Sequence, residues 1–160
     1  MKKTTITLIA ISIFILIGTL GVSATSGLTS IKSRAEAREK AVELRVNKLE
    51  NRLIWAENVE LRTEIKLKLI DIKKNEIVIE ESIKTQLTEL TATLKTKYAA
   101  LKETKGDIKT LTDGVKALIE AKDWVALEAV YERIRAIQHE RNTLLTDINE
   151  LLTQVKDLLP

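Results

Sequence analysis

The sequence predicts an all-α protein of long, coiled-coil-type helices, and three observations carry that expectation. Proline occurs once in 160 residues, at the terminal Pro160, and glycine five times, with Gly18, Gly21 and Gly27 all near the start. Aromatic residues make up 3% and charged residues 31%. That balance lacks the large side chains of a compact mixed core and matches helices rich in Leu, Ile, Ala, Glu and Lys. Finally, apolar residues recur at alternating three- and four-residue steps through most of the chain, the average period of 3.5 that marks a coiled-coil seam.

The chain opens with a leader. Met1-Lys2-Lys3 is basic, Thr4 to Val22 is uncharged and rich in Ile and Leu, and Val22-Ser23-Ala24 precedes Thr25. This three-part pattern predicts a signal peptide over 1–24, cleaved between Ala24 and Thr25, followed by a single helical domain over 25–160. An uncleaved N-terminal anchor is the alternative, and both readings place the rest of the chain outside the cytoplasm. Removing Lys2 and Lys3 lowers the formal charge from +3 to +1. A nucleic-acid partner is therefore not expected, and membrane contact is expected only through an uncleaved leader. The chain has no cysteine, which excludes disulfides, thiol catalysis and thiolate metal sites.

The C-terminal segment carries the strongest seam: Leu127, Val130, Ile134, Ile137, Arg141, Leu144, Ile148, Leu151, Val155 and Leu158. A second row at intervals of seven, Trp124, Tyr131, Gln138, Leu145, Leu152 and Leu159, widens that face enough for two neighbours or an oligomer contact. Upstream, Ile83, Leu87, Leu90, Leu94, Lys97, Leu101, Thr104, Ile108, Leu111, Val115 and Leu118 form another seam. It passes unbroken through Gly106, so a continuous helix is expected there, weakened at Gly106 and Gly114; a short loop at 105–107 is the alternative. Asp123 is a good N-cap for a helix opening at Trp124, and the seam phase changes beside it. The chain should therefore turn at 121–123, and the two seams should face each other as an antiparallel hairpin. With Leu118 opposite Leu127, Thr104 falls opposite Arg141.

The first half is less regular. Val42, Val46, Leu49, Leu53 and Ala56 make one candidate seam; Leu61, Ile65, Leu69, Ile72 and Ile79 make a second, shifted by one residue. No glycine or proline interrupts Lys73-Lys74-Asn75-Glu76, so one long helix from about 28 to 121 is expected, with helix 124–159 folded against its far half. The alternative is an up-down-up three-helix bundle turning near 73–76, with Asn75 in the left-handed conformation.

Catalytic and metal-binding patterns are missing. His139 is the only histidine and has no second ligand at helical spacing, so a solvated surface residue is expected. The carboxylate clusters Glu76/Glu80/Glu81 and Glu36/Glu39/Glu43 are interleaved with lysines and read as solvated faces. Gly-rich phosphate loops, G-x-S-x-G and H-E-x-x-H are absent. No cofactor, metal or small-molecule substrate is expected. Three residues stand out as possible partner contacts. Trp124 and Tyr131, one heptad apart at the hairpin tip, either cap the bundle or form a sticky end, and capping is preferred. Arg141 interrupts an apolar seam, where relief by Glu103 or another facing carboxylate is expected. Arg38, Arg45 and Arg52 repeat every seven residues beside Arg34 and Lys48, with Glu36, Glu39, Glu43 and Glu50 offsetting them. A mixed-charge solvated face is the default there; the sharper reading is contact with an anionic wall polymer or lipid surface.

These features point to a non-enzymatic, exported coiled-coil interaction or scaffold protein of the cell envelope. It would act through a protein partner or by self-association. An extracytoplasmic chaperone-like module that binds unfolded exported proteins is the alternative.

Overall fold

The computed structural model describes the backbone of residues 25–160 and the side chains of residues 31–160. The signal peptide expected over 1–24, with cleavage after Ala24, lies outside the described residues; Thr25 is the first residue of the first described helix. Residues Ser33–Pro160 form a compact unit of their own. All regular structure among the described residues is helical: α1 (Thr25–Lys74), α2 (Glu81–Asp113), α3 (Val115–Ala121) and α4 (Trp124–Leu158). None of these helices is long and apolar enough to cross a membrane.

The uninterrupted helix expected over 28–121 is not formed: α1 ends at Lys74 and α2 starts at Glu81. The stop needs no glycine. Glu76 takes a left-handed conformation (φ 49°), and the Ile77 N–H bonds back to the Ile72 carbonyl at 3.0 Å, closing the last turn. The left-handed residue is thus Glu76. Asn75 instead donates from its side chain to the Asp71 carboxylate at 3.1 Å. The second corner uses the same device. Lys122 is left-handed (φ 56°), and the Asp123 N–H bonds to the Leu118 carbonyl at 3.0 Å. Here the sequence supplied a second signal, since the Asp123 carboxylate accepts the Ala126 N–H at 3.0 Å and caps α4 as expected. The helix runs straight through Gly106. Only Gly114 separates α2 from α3, and it keeps right-handed helical angles (φ −86°, ψ −13°).

Side-chain pairings give the helix directions. On α2 and α4, Lys97 meets Asp147 at 2.6 Å and Arg141 meets Thr104 at 2.7 Å, so the two helices run antiparallel in the register read from the sequence. On α1 and α4 the partners rise together. Glu43 pairs with Arg135, Asn51 with the Gln138 carbonyl, Asn58 with the Leu145 carbonyl and Glu64 with Lys156, so these two helices run parallel. One core joins all three long helices: Ile65 and Ile72 of α1, Leu94 and Leu101 of α2, and Leu145, Ile148, Leu152 and Val155 of α4, with Leu159 just beyond. Each fully buried Leu or Ile contributes roughly 1.5–3 kcal/mol. The second row on α4 faces α1, which explains its width: Gln138, Leu145, Leu152 and Leu159 are all buried.

The α1 seam is also corrected. Val42, Val46, Leu49, Leu53 and Ala56 face solvent. The face turned inwards carries Ala37, Leu44, Asn51, Asn58, Ile65 and Ile72, spaced by seven. Leu69, assigned to the second candidate seam, is also exposed, whereas Ile65 and Ile72 of that seam are buried. The inner row was passed over because its middle is polar. Asn51 and Asn58 enter the bundle because each side-chain amide donates to an α4 carbonyl, at 3.0 and 2.9 Å.

Candidate binding groove between α1 and α2

The helices pack unevenly along their length. Towards the 75–80 corner the inner residues of α1 are Ile65 and Ile72, and the core is continuous. Towards the other end they are Ala37, Leu44 and Asn51, of which Ala37 is small and Asn51 polar, and the space between α1 and α2 stays open. The two helices meet at Trp55 and Tyr98, whose rings lie edge to face with centroids 6.4 Å apart. Beyond that contact a groove of about 870 Å³ opens, walled by α1 on one side, by α2 and α3 on the other, and floored by α4.

Its lining divides by chemistry. Leu44, Leu101, Ile108, Val115, Ile134 and Leu145 supply the apolar surface, and Trp55, Tyr98 and Tyr131 add aromatic edges. Six cationic side chains line the same space: Arg45, Lys48 and Arg52 on the α1 wall, Lys102 and Lys105 on the α2 wall, and Arg141 in the floor. No carboxylate is among the described lining residues. Elsewhere in the bundle several cations meet carboxylates of a facing helix: Lys40 meets Glu132 and Glu128, Arg135 meets Glu43, and Lys156 meets Glu64. The groove thus concentrates positive charge over an apolar floor in a protein whose whole-chain charge is only +3. The Asn51 Oδ1, Gln138 Oε1 and Tyr98 hydroxyl are buried beside it without a hydrogen-bond partner among the described residues.

Arg141 is half-buried, and burial lowers its guanidinium pKa from the ordinary value. The expected relief by Glu103 does not occur, because Glu103 points to solvent. Instead the Arg141 Nη1 donates to the Thr104 hydroxyl at 2.7 Å and to the Leu101 carbonyl at 2.9 Å, and that hydroxyl donates to the same carbonyl at 2.8 Å. Tyr131 and Arg141 thus belong to one groove. Trp124 does not line it; the Arg34 guanidinium lies over its ring, 5.6 Å from the centroid. His139 is exposed, as expected. Among the described residues no group of three or more His, Cys, Asp or Glu side chains could hold a metal ion.

Sequence reasoning found the α1 half of the basic wall, through the seven-residue repeat of Arg45 and Arg52. It missed Lys102 and Lys105, which reach the same space only because the chain folds back at 75–80. No family model matches the chain, and comparison with curated proteins and with solved structures likewise finds no match.

Proposed function

We propose that this chain is an exported, non-enzymatic interaction protein of the cell envelope: an up-down-up coiled-coil scaffold that holds an acidic, amphipathic segment of a partner protein in the α1–α2 groove. The observation that carries this reading is the lining, six cations and no carboxylate over an apolar floor. Apolar area supplies affinity and the cations supply selectivity. Five of the six cations lie along the two walls, and Arg141 lies in the floor, rather than all converging at one end. The α2 and α3 side, from Tyr98 to Val115, is about 26 Å long at 1.5 Å per residue. Spaced positive charge of that extent matches several carboxylates along a polypeptide better than one lipid headgroup.

The test is a fluorescence titration of the protein with a synthetic helical peptide of roughly 17 residues, matched to that length, with leucine at heptad core positions and glutamate elsewhere. Trp55, at the groove wall, reports occupancy. Saturable binding that weakens with salt is expected, and Lys102→Glu with Lys105→Glu should reduce affinity by at least roughly tenfold. Equal binding of the same peptide with every glutamate changed to glutamine would overturn the charge selectivity. That outcome would favour the second reading, a chaperone-like module for unfolded exported proteins, which draws on the apolar floor and on the 87% exposed Val78.

A further inference from the structure

Helix α1 carries two heptad faces. Its inner row, Ala37 through Ile72, faces the bundle. On the far side of the helix Val42, Val46, Leu49 and Leu53 stand at steps of four, three and four, each between 39 and 59% exposed. Exposed Ala56 extends the row by one further step of three, whereas the position before Val42 in the same order is the exposed Glu39. Four large aliphatic side chains in register on one outward stripe are not explained by the packing of the described residues. The inner row already holds α1 in place, through Asn51, Asn58, Ile65 and Ile72.

The flanks of this stripe carry opposite charges in strict heptad order. With Val46 and Leu53 at a and Val42 and Leu49 at d, position e is Glu43, Glu50 and Glu57, and position g is Arg38, Arg45 and Arg52. Valine at a with leucine at d, as in Val46 and Leu49, favours two strands. In a parallel two-stranded coil each g residue reaches the e residue of the next heptad on the other helix. Arg38 then meets the partner's Glu43, Arg45 the partner's Glu50, and Arg52 the partner's Glu57, each pair occurring twice by symmetry. In an antiparallel coil arginine would face arginine and glutamate would face glutamate. Among the described residues Arg38, Arg45, Arg52, Glu50 and Glu57 form no ion pair within the chain, while Glu43 is held by Arg135.

We infer that the outer stripe of α1 is a self-association face, which pairs two copies of this chain in parallel along residues 42–56. The seam is short, roughly 21 Å at 1.5 Å per residue. A free peptide of that length is a marginal helix, but here the bundle forms the helix beforehand and bears the nucleation cost. Glu39 and Glu60, at the flanking a positions, end the apolar run on either side. The face meets the groove only at Arg45 and Arg52. Leu49, Leu53, Glu50 and Glu57 do not line the groove, whereas Arg45 and Arg52 stand on the ridge between the two surfaces.

The absence of cysteine makes a direct test possible in the full chain. Single substitutions Val42→Cys, Val46→Cys, Leu49→Cys and Leu53→Cys should each cross-link to the same residue of a second copy on mild oxidation. Thr110→Cys, on the exposed side of α2, should not. An antiparallel pair would cross-link at no more than the position nearest its centre, and a monomer at none; either pattern overturns the proposal. A charge swap gives a second reading by light scattering, with helicity checked by circular dichroism. Glu50→Arg with Glu57→Arg, and separately Arg45→Glu with Arg52→Glu, should each weaken self-association by roughly tenfold or more, and an equal mixture should restore a 1:1 dimer. Failure of the mixture to associate, with both variants folded, overturns the assigned e and g pairing. Lys102→Glu with Lys105→Glu, which tests the groove, should leave the dimer unchanged.

Discussion

The Arg141 guanidinium donates to the Thr104 hydroxyl at 2.7 Å, across the seam between α4 and α2. The same nitrogen reaches the Leu101 carbonyl at 2.9 Å, so a charged group at a core-facing position is satisfied by neutral acceptors alone. Such a contact fixes how α4 slides against α2, because a shift of one heptad would face Arg141 with Lys97 or Leu111. Its cost is partial desolvation of a cation with no carboxylate beside it.

Replacing this residue separates packing from binding. Arg141→Leu removes the desolvated charge, and Thr104 keeps its bond to the Leu101 carbonyl, so no buried donor is orphaned. Stability should rise by about 1 kcal/mol with helicity unchanged, read from thermal and urea unfolding. Affinity for the acidic peptide should fall, since a floor cation is lost. A marked loss of helicity in this variant would contradict the α2–α4 seam.

Asn58 gives a pH-dependent prediction. It is 1% exposed, its amide donates to the Leu145 carbonyl, and its Oδ1 has no hydrogen-bond partner among the described residues. Asn58→Asp would aim a carboxylate at that carbonyl with no donor nearby, and burial would raise its folded-state pKa above the unfolded value of about 3.9. The native state then binds more protons than the unfolded state, so stability should fall as pH rises above about 4 and recover in acid. At neutral pH the loss should be about 3 kcal/mol or more. Stability independent of pH relative to the parent chain would show that Asn58 is hydrated.

The two corners predict gains rather than losses. Glu76 and Lys122 hold left-handed angles that favour glycine. Glu76→Gly and Lys122→Gly should each stabilise the protein by about 0.5–1 kcal/mol, and Glu76→Val should destabilise it by at least as much, as read from urea unfolding. No gain from either glycine would argue that the helix ends are held by other contacts.

These corners also show why one half of the fold was legible in the sequence and the other was not. At 121–123 the capping carboxylate of Asp123 and a change of seam phase both mark the turn. At 73–76 neither exists, because the left-handed residue is a glutamate, and continuity is then the simpler reading. The contrary sign was the second row on α4, Gln138 to Leu159, which requires a neighbour besides α2. The inner face of α1 escaped notice because the most apolar row on that helix points outwards, while the buried row carries two asparagines whose partners are backbone carbonyls. The groove was legible only in part. Arg45 and Arg52 share one helix and a visible repeat, but Lys102 and Lys105 join them through tertiary folding, and an absence of carboxylates becomes visible only once the walls are assembled.

Gly106 tests the continuity of α2. Its carbonyl accepts the Thr110 hydroxyl at 3.1 Å, and the residues around it are helical and exposed. A Cβ built at this position meets nothing within 4 Å, so Gly106→Ala adds no clash and removes only the backbone freedom of the unfolded chain. The expected gain is about 1 kcal/mol, or an increase of about 3 °C in melting temperature for a chain of this size. Gly114 is a second site of the same kind: its angles are right-handed and its Cβ direction is open, so Gly114→Ala should give a similar gain and join α3 more firmly to α2. The two sites are eight residues apart on the exposed side of one helical stretch, so their effects should add within about 0.5 kcal/mol. A loop at 105–107 would respond differently. Gly106→Ala would then be neutral or harmful while Gly114→Ala still stabilised, and that pattern would place the end of α2 before Gly106.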